Sequence, residues 1–173
     1  MDVLSILVVE DEDFDAAALF RQLDRALPIA PNVHRAGTLA EASSLVGHGS
    51  FDVAFLDLCL PDGQSEACLE WLQEAAQKMP VIVLTGLPDD LLATSALRKG
   101  AQDYLVKERM DPTAVMRSLR FAVERYRLQH ELVAARTRES QLRDRLLSHV
   151  SHELRTPLTA IVQFGAILRD GIA

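Results

Sequence analysis

The sequence predicts an α/β fold, a doubly wound parallel sheet of five strands with helices on both faces, followed by one long α-helix. Three observations carry this. Five short apolar runs punctuate the first 107 residues: Leu4–Val9, Asn32–Ala36, Val53–Leu58, Val81–Thr85 and Asp103–Val106. Amphipathic stretches long enough for helices separate them, so strand and helix alternate five times. Beyond them, Thr113 to Thr156 contains neither Gly nor Pro, which exceeds the ~8–20 residues of an ordinary globular helix.

Each element has its local reason. Three of the five runs are almost purely aliphatic, as expected of strands covered on both faces. The first, Val3 to Val9, has no basic stretch before it and acids directly after it, so it reads as a buried strand and not a signal peptide. Thr38 with Glu41 forms a capping box that opens a helix over Leu39–Val46. Pro88, Asp89 and Asp90 mark another helix start, with acids at its positive end. Gly100 after Arg98 and Lys99 is a C-terminal stop. Asp111-Pro112 is an N-cap followed by proline at the first helical position. Along the final helix Leu128, Leu132, Ala135, Leu142 and Leu146 lie on a 4-3 stripe that Glu139 interrupts. That stripe predicts a two-stranded coiled coil, hence a homodimer through the C-terminal helix. A single solvated helix is the alternative, but it leaves the stripe with nothing to bury against.

Charge is unevenly spread. The whole chain carries −7, but residues 1–110 hold 8 Lys/Arg against 18 Asp/Glu, and residues 111–173 hold 10 against 7. So acidic a first part argues against nucleic acid as its partner, and the basic tail is too dilute for a DNA-binding arm. Two cysteines, Cys59 and Cys68, fit no zinc spacing and indicate a reducing compartment. No apolar stretch reaches the ~18–20 residues of a membrane helix, so a cytoplasmic location is expected.

The strand ends carry the chemistry. The first run ends in Glu10 and Asp11, with Glu12 and Asp13 behind them; the third ends in Asp57, the fourth in Thr85-Gly86, and Lys107 follows the fifth. In a parallel sheet these groups converge at one edge. Converging carboxylates repel unless a cation sits among them, and an all-oxygen set suits Mg²⁺. A hydroxyl and an ammonium facing that cation could hold phosphoryl oxygens, and a carboxylate nucleophile there would give an acyl phosphate. Glu12 and Asp13 read as solvated or helix-capping acids and not as ligands. Cys59 is a poor redox sensor, because its neighbours are acids.

ILVVEDEDFDAAAL, DVAFLDLCLPDG, PVIVLTG and KGAQDYLVKE together resemble the receiver domain of bacterial response regulators, over residues 4 to about 124. The resemblance implies a flavodoxin-like sheet in the order 2-1-3-4-5. It implies Asp57 as the phosphoacceptor, Asp11 as a direct Mg²⁺ ligand, Glu10 acting through water, and the backbone carbonyl of Cys59 completing the metal shell. Thr85 would bind a phosphoryl oxygen and shift towards it, Lys107 would pair with the phosphoryl group, and Tyr104 matches the aromatic switch position. Pro61-Asp62-Gly63 would form the turn after the acceptor strand. Ser65 departs from the pattern, standing where many members have a second glycine. Cys59 and Leu87 flank the expected path of the hydrolytic water, and both orient water poorly, so a long-lived phosphoryl group is expected.

The tail, LLSHVSHELRTPLTAIVQFGAIL, resembles the H-box of dimeric sensor histidine kinases, over residues 148 to about 168. By that resemblance His152 is a second phosphoacceptor, Glu153 its general base, and Thr156 a water-positioning group for dephosphorylation. Pro157 is expected to loosen the helix after the site. His130 and His149 read as exposed helix histidines. The family's second phosphotransfer helix and ATP-binding domain find no match in these residues, so ATP would belong to a kinase domain outside them and this chain is not expected to autophosphorylate alone.

The expected organisation is a receiver over 1–124, a coiled-coil linker helix over 125–147, and the first helix of a dimerisation and phosphotransfer domain over 148–173. The expected function is phosphorelay signalling in a hybrid receiver and histidine kinase, fed by an upstream kinase or phosphotransfer protein. The alternative is a receiver adaptor whose helical tail binds or sequesters a partner kinase.

Overall fold

A computed structural model describes residues 3–63, 65–86 and 91–170, with side chains omitted at 65, 148 and 150–170. The strands are β1 (Ser5–Val9), β2 (Asn32–Ala36), β3 (Val53–Asp57), β4 (Val81–Thr85) and β5 (Asp103–Val106). The helices are α1 (Asp13–Ala26), α2 (Leu39–His48), α3 (Ser65–Ala75), α4 (Leu91–Lys99) and α5 (Pro112–Asp170), with a short 3-10 turn over Lys107–Arg109. The chain divides into two compact units, 1–128 and 129–173.

All strand pairings are parallel, in the order β2-β1-β3-β4-β5. The three almost purely aliphatic runs are the three central strands. β2 and β5 are the edges, and their half-exposed patterns reflect one uncovered side. The period of two divides β1 between two cores: Ile6 and Val8 face one way, Leu7 and Val9 the other. One core joins Leu19 and Leu23 of α1 to Val115, Leu119 and Ala122 of α5. The other takes Leu39 and Ala42 of α2, Leu72 of α3 and Ala96 of α4. Phe55, wholly buried at the centre of the sheet, contributes about 1.5–3 kcal/mol by its removal from water.

The caps follow the local signals. Thr38 Oγ1 accepts from Glu41 N at 3.1 Å, and Glu41 Oε2 accepts from Gly37 N at 2.8 Å. Asp62, from the loop after β3, accepts from Leu39 N and Ala40 N at 3.0 and 3.2 Å. Three donors of the first turn of α2 are thereby satisfied. Gly100 adopts φ 116°, with Ala101 N donating to Ala96 O and Gly100 N to Leu97 O, a Schellman stop. Asp111 Oδ1 accepts from Ala114 N at 2.7 Å and opens α5. The expected start at Pro88, Asp89 and Asp90 lies outside the described residues, and α4 is described from Leu91.

α5 runs through Pro157 to Asp170. The proline removes a single donor, that to the carbonyl of Glu153, and the neighbouring bonds carry the helix past it. Within the first unit, Arg125 Nη1 donates to Gln102 O at 2.9 Å and Tyr126 Oη to Gln77 O at 3.2 Å. Within the second, the described side chains from Gln129 to Leu147 are all exposed.

Gly63 closes the turn that begins at Leu60, through its N–H to Leu60 O at 3.2 Å. A Cβ there would lie 2.6 Å from Cys68 Sγ and 3.0 Å from Leu39 Cδ1. Gly63→Ala is expected to lower stability by about 1–3 kcal/mol in urea unfolding, and adding Cys68→Ala should recover part of that loss.

Candidate functional site

Parallel pairing puts the strand ends at one edge. β1 is followed by Glu10, whose N–H donates to Ala36 O at 2.9 Å and extends the ladder to β2. Asp57 and Thr85 end β3 and β4, and Lys107 follows β5. Glu10 is wholly buried, and Asp57 and Thr85 are nearly so. These four groups, together with Asp11, are therefore brought to one side of the sheet by topology alone.

Lys107 Nζ occupies the middle. It lies 2.8 Å from Glu10 Oε2, 2.8 Å from Asp15 Oδ2 and 2.9 Å from Asp57 Oδ2. Burial works to lower the ammonium's pKa, but hydrogen bonds to Asp15, Glu10 and Asp57 outweigh it and hold the group above its ordinary value. Burial raises the pKa of Glu10, with the Asp57 charge adding to the rise, while Lys107 and the Glu12 N–H act against it.

Carboxylate oxygens of Glu10, Asp11 and Asp57 all lie within 4.8 Å of one another. Asp11 Oδ1 is buried and has no hydrogen-bond partner. An orphaned buried carboxylate oxygen beside two others is a set that a hard divalent cation such as Mg²⁺ satisfies. Cys59 is exposed, and its N–H donates to Asp57 Oδ1 at 3.3 Å. Tyr104 is half-buried and packs against the core beneath α2, α3 and α4. His152, Glu153 and Thr156 fall on α5, and their side chains, like residue Leu87, lie outside the described set.

Two residues were not foreseen. Arg35, on β2, donates from Nε to Glu10 O at 2.9 Å, from Nη2 to Asp11 O at 2.7 Å and from Nη1 to Asp13 Oδ1 at 2.6 Å. It clamps the backbone that carries the two acids. Asp15, in the first turn of α1, binds Lys107 across 92 positions of sequence. A lone basic residue near the end of an edge strand, and an acid one helical turn beyond Asp11, were the available signals. Of the two acids read as non-ligands, Asp13 pairs with Arg35, and Glu12 is the N-cap of α1 without a side-chain capping bond.

Among the described residues, no helix is long and apolar enough to cross a membrane. The response regulator receiver domain model matches residues 6–120, and the His Kinase A (phospho-acceptor) domain model matches 142–172. The swarming motility regulation protein RssB of Serratia marcescens is 34% identical over 115 residues, covering 66% of this chain and 51% of that protein. The regulatory protein LuxO of Vibrio cholerae is 34% identical over 100 residues, covering 58% of this chain and 21% of that one. The chain thus spans about half or less of the length of these two relatives. Among solved structures, the signal receiver domain of an HD domain-containing protein from Pseudomonas fluorescens Pf-5 superimposes with a TM-score of 0.62 at 26% identity, covering 76% of this chain and 94% of that one. NtrX from Brucella abortus shares the fold, with a TM-score of 0.65 at 21% identity over 78% of this chain and 30% of that one. With an acidic, lysine-bridged sheet edge inside the matched segment, the chain belongs to the response regulator receiver family and carries in its tail a segment of the His Kinase A phosphoacceptor family.

Proposed function

We propose that this chain is a phosphorelay receiver which takes a phosphoryl group on Asp57 and, through a dimeric helix, governs a histidine kinase acting at His152. The observation that carries this is Asp57 itself: a nearly buried carboxylate, 2.9 Å from a lysine ammonium and beside two further acids. An Asp57 oxygen attacks the phosphorus of the donor, a phosphohistidine of an upstream kinase or phosphotransfer protein. The P–N bond breaks as the new P–O bond forms, and the imidazole leaves as the phosphoryl group becomes an acyl phosphate. Lys107 pairs with the incoming phosphoryl oxygens, and Thr85 at the end of β4 offers a hydroxyl to one of them. Glu10, Asp11, Asp57 and the carbonyl of Cys59 would hold Mg²⁺, which when bound neutralises charge on the phosphoryl oxygens. Tyr104 and Thr85 respond to the modified site, and the site acts in the cytoplasm.

The receiver occupies 1–124, the linker helix 125–147, and the phosphotransfer segment 148–173. Leu128, Leu132, Leu142 and Leu146 are exposed, which supports a second copy of the helix as their cover. At the tail, His152 would take a phosphoryl group with Glu153 as base, and Thr156 would position water for its removal.

Intact-mass measurement after incubation with Mg²⁺ and acetyl phosphate should show one added phosphoryl group, absent from Asp57→Asn. No addition under any donor would overturn the reading. Arg35→Ala should weaken Mg²⁺ binding about 10-fold or more in a calorimetric titration while the fold persists, because the backbone of the acidic pair loses its clamp. Sedimentation of the chain should report a dimer that Leu132→Glu with Leu142→Glu converts to monomer. A monomeric parent would remove the coiled coil from the proposal.

A further inference from the structure

Lys107 is surrounded by three carboxylates, and the transfer chemistry accounts for two of them. An alkylammonium carries three N–H donors. Asp15 and Asp57 accept two of them, at 2.8 and 2.9 Å, and Glu10 Oε2 stands 2.8 Å from Nζ as a third anion paired with the same charge. A phosphoryl group on Asp57 presents new anionic oxygens to the same ammonium and competes with the contacts already there. The three partners differ in what release costs. Glu10 is wholly buried and would be left charged without water. Asp57 is the acceptor, and its side chain is 5% exposed. Asp15, in the first turn of α1, has a side chain 33% exposed, so water can replace the ammonium there.

We infer that Asp15 is a positioning residue that competes with the phosphoryl group for Lys107, holding the ammonium before transfer and releasing it afterwards. The inference rests on Asp57 as the phosphoacceptor. It makes Asp15 a setting for how readily the site accepts a phosphoryl group. Its removal takes away one competing anion and frees the donor that Asp15 now holds, so an anion on Asp57 binds more tightly.

The test is the binding of beryllofluoride, a phosphoryl stand-in that does not hydrolyse, to the full chain in Mg²⁺, followed by ¹⁹F NMR. The proteins compared are the parent, Asp15→Asn, Asp15→Ser and Asp13→Asn, with urea unfolding midpoints read in parallel. Asp13 is the charge control: it pairs with Arg35 at 2.6 Å, and Lys107 is not its partner. Both Asp15 variants should bind about two- to fivefold more tightly with little change in midpoint, the span expected for a part-exposed ion pair. Asp13→Asn should shift affinity distinctly less. Unchanged or weaker binding in the Asp15 variants, or an equal shift in Asp13→Asn, would overturn the inference while leaving the phosphoacceptor reading intact. A parent that binds no beryllofluoride would overturn both together.

Discussion

Four acids, Glu10, Asp11, Asp15 and Asp57, meet at one edge of the sheet, and a single ammonium stands within 2.9 Å of three of them. Buried carboxylates are costly unless paired, so the Lys107 contacts are the condition on which this edge can form. The direction of each shift follows. Lys107 is raised above its ordinary 10.5, so its stabilisation is complete below that value and is lost only as pH rises through the raised one. Glu10 is raised from 4.5, so its favourable contribution is complete below 4.5 and is lost as pH rises through the raised value. An ionised Glu10 is thus a cost carried by the fold, which a cation among the three carboxylates would offset.

The surrounding backbone is held to the same purpose. Arg35 reaches from edge strand β2 to the carbonyls of Glu10 and Asp11, fixing the β1–α1 loop from the neighbouring strand. Asp62, five residues beyond Asp57 in sequence, caps α2. The loop that follows β3 is therefore tied to the start of a neighbouring helix by two hydrogen bonds. The same loop also buries Leu58 and Leu60 in the core, so polar and apolar contacts together fix its path.

α5 changes character along its length. Val115, Leu119 and Ala122 recur at helical spacing and are buried against the sheet, whereas the described side chains of the second unit are exposed. The helix continues through Pro157, which removes one backbone donor, and through Gly165, which removes none and costs only conformational entropy. Among the described residues, Leu128, Leu132, Leu142 and Leu146 of the apolar 4-3 stripe are exposed.

Much of the fold was legible in the sequence because strand and helix periods are local. The aliphatic purity of β1, β3 and β4 marked them as central, and Thr38, Gly100 and Asp111 marked helix ends through hydrogen bonds spanning at most five residues. The placement of Asp57, Thr85 and Lys107 at strand ends was equally readable, since the register of a parallel sheet brings carboxyl ends together whatever the loops do. Tertiary structure alone decided the rest. The Asp15–Lys107 bond spans 92 positions, the Arg35 clamp 22 to 25, and the Asp62 cap 22 and 23. None leaves a periodic trace, because a polar contact between distant residues constrains direction and distance in space and imposes no pattern along the chain.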